Sequence, residues 1–144
     1  MMDSKILNQS DQLDVVSTTT RLSFLWVFVL LNVCIRDLHT LLRSDVIGQI
    51  QSGVMNGTAI TDELLLIGGI LMEIPVAMIV LNQVMHGKSL YVVNIAAAAL
   101  TLAIFLSNGF HHSDDYFFLG VTTMGLIGVV IVGKSRLARP TRAP

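Results

Sequence analysis

Charge is what this chain has least of. Only 13% of its 144 residues are Asp, Glu, Lys or Arg, about half the roughly 25% typical of a soluble domain. That is too little solvating charge for an ordinary soluble enzyme, while 53% apolar residues exclude a disordered chain. Cysteine is nearly absent as well. Cys34 is the single one, so no intrachain disulfide can form and a disulfide-stapled module is excluded. It sits inside an apolar block and reads as a small packing residue, not a redox centre. No zinc-ribbon spacing of Cys and His occurs. The net charge of -1 and a pI of about 6.4 offer no basic surface to nucleic acid. A phosphate loop, a nucleophile elbow and a haem-ligand pair are all missing, so no cofactor is implied. The apolar blocks also leave no length for a separate catalytic domain.

What the chain has is apolar length. A bilayer core about 30 Å thick takes roughly 20 helical residues to cross, and four blocks supply them: 22–42, 64–85, 90–108 and 116–133. The runs are too long for transmembrane strands and lack their period of two. The predicted fold is all-α, a four-helix transmembrane bundle running up-down-up-down over 22–133. A polar segment, 1–21, precedes it and a basic tail, 134–144, follows. No small-x-small cleavage site follows the first block, and Asn32-Val33 places no small residue before Cys34, so the block reads as an uncleaved anchor.

The connections make neighbours. Links 86–89 and 109–115 are short enough to pair the second block with the third and the third with the fourth. The longer stretch 43–63 is expected to hold a short amphipathic helix in the interface plane. Ser44 would cap it, Val46, Ile47, Ile50 and Val54 would form its apolar side, and the Asn56-Gly57 turn would end it. Thr61 is expected to cap the second span, with Asp62 and Glu63 in its first turn. Ser113, Asp114 and Asp115 would do the same for the fourth.

Basic residues set the orientation. Lys5, Arg21, Lys88, Lys134, Arg136, Arg139 and Arg142 fall on one side of a four-span topology. The other side has only Arg36 and Arg43, facing Asp62, Glu63, Asp114 and Asp115. By the positive-inside rule both termini are cytoplasmic, in a bacterial inner membrane, with the basic tail held to anionic lipid.

Ionisable side chains at bilayer depth cost roughly 2.5–3.5 kcal/mol each on insertion scales and must face protein or water. Glu73 lies near the middle of the second span, with Gly69 and Ala77 four residues to either side and Asp62 three turns earlier on the same face. Pro75 removes a backbone donor beside it and bends the helix. In the first span Asn32, Arg36, His39 or Thr40, and Arg43 form one stripe, with Asp37 adjacent. In the third, Asn94, Thr101 and Asn108 recur every seven residues. The simplest arrangement points all three stripes at one polar core. There Arg36 would serve Glu73 or Asp37 as counter-ion, or snorkel outward. Two readings stand side by side: an ion pair that fixes helix register, and a protonatable or ligand-binding site at Glu73 reached from outside.

A second constellation is His111, His112, Asp114 and Asp115, joined by His39 and Asp62. Imidazole and carboxylate suit a divalent cation, but the spacing matches no fixed motif, and polar residues in a short loop are the simpler account. Ala99, Ala103, Gly120, Gly125 and Gly128 are small enough for close helix contacts within or between subunits.

Several runs together carry a family likeness. These are Arg21-Leu22-Ser23-Phe24-Leu25-Trp26, Arg36-Asp37, Glu63-Leu64-Leu65-Leu66, Asp115-Tyr116-Phe117-Phe118 and, most specifically, Met72-Glu73-Ile74-Pro75. The chain resembles an uncharacterised family of small four-helix prokaryotic membrane proteins. The resemblance implies a four-span membrane protein and brings no substrate, cofactor or catalytic residue. The expected function is a small transport-like or ligand-binding membrane protein acting as a homo-oligomer, with Glu73 at its polar centre and Arg36 as counter-ion. Its partners would be the lipid bilayer, a second copy and an unidentified small ligand or ion. The alternatives are an accessory subunit of a membrane complex and, from another class, a membrane enzyme using the outer His and Asp cluster.

Overall fold

A computed structural model of the chain describes residues 2–55, 57–85, 87–107 and 113–137, with side chains described at 13 and at 16–135 within those ranges. Four long helices dominate it: α1 (Met2–Leu41), α3 (Asp62–Val84), α4 (Lys88–Ser107) and α5 (Ser113–Leu137). Each holds a stretch long and apolar enough to cross a membrane. Between α1 and α3 lie the short helix α2 (Ser44–Gln51) and a hairpin of β1 (Val54–Met55) and β2 (Thr58–Ala59). The strands are antiparallel, Val54 opposite Ala59 and Met55 opposite Thr58. The chain is thus an all-α four-span membrane protein with a short helix and a minimal hairpin in its one long loop.

Two elements depart from the sequence expectation. The α1 helix starts at Met2, well inside the polar segment, because nothing between there and the first span is Gly or Pro. Its 40 residues make a rod of about 60 Å at 1.5 Å per residue. The helix in the long loop is shorter than expected. Ser44 is not its cap: Arg43 occupies that position without a side-chain bond, and the helix ends at Gln51. Of the four apolar residues expected on one side, Val46 is buried, Ile47 and Ile50 are exposed, and Val54 belongs to β1. Asn56 lies outside the described residues. The cap of α3 is as expected: the Thr61 hydroxyl accepts from the Leu64 amide at 3.3 Å, with Asp62 and Glu63 in the first turn.

The four helices form a closed ring in which α1 lies between α3 and α5, and α4 closes the other side against the same two. The reversal from α3 to α4 is tight. The Met85 amide donates to the Leu81 carbonyl at 2.8 Å, and Gly87 takes φ +80°, a left-handed conformation that favours glycine. The α1–α5 contact is close. A Cβ on Gly125 would meet Phe28 Cδ1 and Val29 Cγ2 at 2.9 Å each, and one on Gly128 would meet Leu25 Cδ2 at 3.0 Å. Glycine at 125 therefore sets how near the two backbones lie.

Because the spans alternate, the start of α1 and the end of α5 share one end of the bundle. We call this the terminal end, and the one carrying α2 and the hairpin the loop end. The apolar core fills the terminal half, where Leu22, Trp26, Val29, Leu90, Leu126 and Val129 pack together. The loop half is built differently.

Candidate functional site

Polar side chains run through the bundle at three depths. Nearest the terminal end, the Trp26 indole donates from Nε1 to Asn94 Oδ1 at 2.7 Å. Asn94 Nδ2 in turn donates to Asn82 Oδ1 at 2.7 Å and to the Leu90 carbonyl at 2.9 Å. All three side chains are fully buried, and they tie α1, α4 and α3 together. Ser23 supports the same layer, donating to the Ile79 carbonyl at 3.3 Å and accepting from Gln83 Nε2 at 2.9 Å. One level further, Asn32 Nδ2 donates to Thr122 Oγ1 at 2.5 Å and to the Phe118 carbonyl at 3.2 Å, joining α1 to α5. Buried amides bonded across helices in this way hold the helices in register, since lipid offers no alternative partner.

The third depth, toward the loop end, carries charge. Arg36 Nε lies 3.6 Å from Asp115 Oδ1, with both side chains nearly buried. Its guanidinium carbon sits 4.4 Å from the centre of the Phe105 ring, a cation–π arrangement. Above it, Asp114 receives Arg43 Nη2 on one oxygen and His39 Nε2 at 3.2 Å on the other. Both first-turn acids of α5 are thus taken up by basic residues of α1 and of the turn that follows it. These contacts are possible because α1 and α5 are antiparallel neighbours whose ends meet here.

Beside Arg36 a partly open cavity of about 180 Å³ lies between α1, α3 and α4. Its polar lining is Arg36, Asp37 and Thr101; Leu71, Met72 and Phe105 are among its apolar walls. Arg36 Nε and Thr101 Oγ1 are both buried without a hydrogen-bond partner. Pro75 lines the same space. Having no N–H, it leaves the carbonyl of Leu71, another lining residue, without its helical donor. Each buried polar group that nothing meets costs about 1–3 kcal/mol; the third such atom among the described side chains, Asn82 Nδ2, lies in the Trp26–Asn94 layer.

The stripes foreseen in the sequence are only partly brought together. Asn32 and Arg36 on α1, and Asn94 and Thr101 on α4, do face inward. Glu73 does not: it is exposed, and so are Gly69 and Ala77 four residues to either side. The physical reason lies in the helix itself. Pro75 and Met78 are the buried face of α3 together with Asn82, and a residue two positions before Pro75 points about 200° away at 3.6 residues per turn. Arg36 accordingly pairs with Asp115 and not with Glu73. Asp37 lines the cavity but is exposed, and Asp62 is exposed in the first turn of α3. Asn108, His111 and His112 lie outside the described residues. Among the described residues no three His, Cys, Asp or Glu side chains converge as a metal site would require, and Asp114 and Asp115 are engaged with α1.

Asn82 and Thr122, fully buried, were not foreseen. For Asn82 a signal was there: it lies seven residues after Pro75, on the one face of α3 that a proline had already marked. Thr122 had none, since a lone threonine in an apolar helix is ordinary.

The model of a family of unknown function, DUF6326, matches residues 15–135 of the chain. No curated protein and no solved structure matches it.

Proposed function

The chain belongs to DUF6326, a family of unknown function, and we propose that it is a ligand-binding membrane protein whose site is the cavity between α1, α3 and α4. The observation that carries this is Thr101 Oγ1, buried without a hydrogen-bond partner, in the lining of the same cavity as the Arg36 side chain. A cavity of about 150 Å³ holds a molecule the size of benzene, so one of about 180 Å³ takes a solute of similar size. The lining selects for an amphipathic one. An acceptor group meets Arg36 and Thr101, and an apolar body lies against Leu71, Met72 and Phe105. Asp115 and Asp37 already balance much of the Arg36 charge, so the ligand need not carry a full negative charge.

Lysine and arginine cluster at the terminal end, which supports cytoplasmic termini in a bacterial inner membrane. The loop end, in whose half the cavity lies, then faces outward. Movement of the bound solute across the membrane would be the transport-like extension of this reading.

Thermal unfolding of the detergent-purified protein tests it, with benzoate and benzyl alcohol as probes of the right size. A ligand at a hundred times its Kd adds about 2.7 kcal/mol of stability, a shift readily seen. Thr101→Val keeps the shape and loses one hydrogen bond, worth about 0.5–1.5 kcal/mol, so the probe should bind roughly two- to twelve-fold more weakly. Stabilisation identical in wild type and Thr101→Val, or none with either probe, would count against the cavity as the site.

A further inference from the structure

The α3 helix is unlike the other three. Its most apolar window is only 11% buried within the chain, against 33–39% for the others, and it has the highest hydropathy of the four. On this exposed side stands Glu73, at the centre of Asp62–Val84 and so about 16 Å from either end at 1.5 Å per residue. That is the middle of the hydrocarbon layer, where acyl chains offer no hydrogen bond and an ionisable group is costly. Among the described residues none partners it there, because Arg36, the cation nearest in depth, is turned into the bundle toward Asp115.

We propose that α3 is the contact between two copies of this chain, with the Glu73 carboxyls meeting across a twofold axis. A carboxylic acid presents both a donor and an acceptor, so a pair of them is self-complementary and needs no third component. Self-complementarity of one patch is also what a twofold interface demands. The flanks permit the approach: Gly69 and Ala77 are exposed one turn to either side of Glu73, and a Cβ on Gly69 meets nothing within 4 Å. Leu66, Ile70 and Val80, all exposed, complete the face. A twofold axis along the membrane normal keeps both copies in the same orientation. This interface is independent of the cavity, which opens between α1, α3 and α4 on the other side of Pro75.

Two measurements test it in the full chain reconstituted in lipid vesicles. In a Cys34→Ala background, Ala77→Cys should oxidise to a disulfide-linked dimer, because a crossing at Glu73 brings the two positions within the roughly 4.4–6.8 Å Cα separation a disulfide spans. Met124→Cys, exposed on α5, should stay monomeric under the same oxidation. Equal cross-linking at both positions, or none at Ala77→Cys, overturns the proposal. The second measurement is dimer dissociation by energy transfer between labelled copies on dilution in lipid. Glu73→Gln keeps a donor and an acceptor and should dimerise about as well as wild type. Glu73→Leu should weaken dimerisation by about three- to eighteen-fold, the range for an interhelical hydrogen bond in a membrane. Unchanged dimerisation in Glu73→Leu, or capture of a different protein at this face in place of a second copy, overturns it equally.

Discussion

Replacing Asn94 by leucine probes the buried network at the point where three helices meet. The substitution is close to isosteric, so it leaves little cavity, and its cost is mainly polar. Two groups lose their partner: the Trp26 indole N–H, which donates to Asn94 at 2.7 Å, and Asn82 Oδ1, which accepts from it at 2.7 Å. The third bond, to the Leu90 carbonyl, is local and disappears with its donor. Interhelical hydrogen bonds in membrane proteins average about 0.6 kcal/mol and reach about 1.7 kcal/mol. Two of them, fully buried, therefore put the loss at about 1–3 kcal/mol. The chain has a single tryptophan, so Trp26 reports on its own environment. Unfolding in mixed micelles, followed by its fluorescence, gives the stability, while the emission maximum of the folded state should move to shorter wavelength when the indole loses its acceptor. A double-mutant cycle with Trp26→Phe, its four unfolding curves followed by circular dichroism because two of the variants have no tryptophan, should show coupling of about 1 kcal/mol, since removing both partners orphans less than removing one. An Asn94→Leu protein of wild-type stability with an unshifted emission maximum would refute the network as a structural tie.

Other variants separate the layers. Asp115→Asn removes the counter-charge of a nearly buried arginine and should destabilise by about 3 kcal/mol, the lower end for breaking a buried pair, because the 3.6 Å approach is longer than a full hydrogen bond; chemical unfolding measures it. Glu73→Gln, by contrast, should leave the stability of the monomer in detergent unchanged by the same assay, as the side chain is exposed and has no partner among the described residues. Gly125→Leu drives a side chain into Phe28 and Val29, which already stand 2.9 Å from an added Cβ. It should cost about 1–3 kcal/mol by overpacking and lower the melting temperature, whereas Gly120→Leu, where nothing lies within 4 Å, should not.

How much of this was legible in the sequence follows from what each signal measures. The four spans were, because their apolar length has one physical explanation, and short links paired α3 with α4. The Thr61 cap was legible, being a local hydrogen bond between residues three apart. The inward stripes of α1 and α4 were too, since Asn32 with Arg36, and Asn94 with Thr101, break otherwise apolar helices on one side each. The orientation of α3 was not. That helix is apolar all round, so no face stands out, and a buried-charge argument drew Glu73 inward while Pro75, Met78 and Asn82 form the buried side. The partner of Arg36 was hidden for a different reason. Asp115 is its neighbour only because α1 lies beside α5, a contact between the first and last spans that no linker length dictates. The reach of α1 back to Met2 was masked by the polarity of its first residues, although they contain nothing that breaks a helix.

The central claim is that the cavity beside Arg36 receives a solute, and the most direct measurement is the reactivity of a thiol placed in it. Thr101→Cys in a Cys34→Ala background, held in sealed vesicles, would be treated with methyl methanethiosulfonate, and the modified fraction followed by mass spectrometry with and without benzoate. The account predicts that the thiol is modified and that benzoate slows its modification saturably, while Asn94→Cys, buried in the network below, stays unreacted. A Thr101→Cys thiol that reacts no faster than Asn94→Cys, or whose rate ignores benzoate, would contradict it.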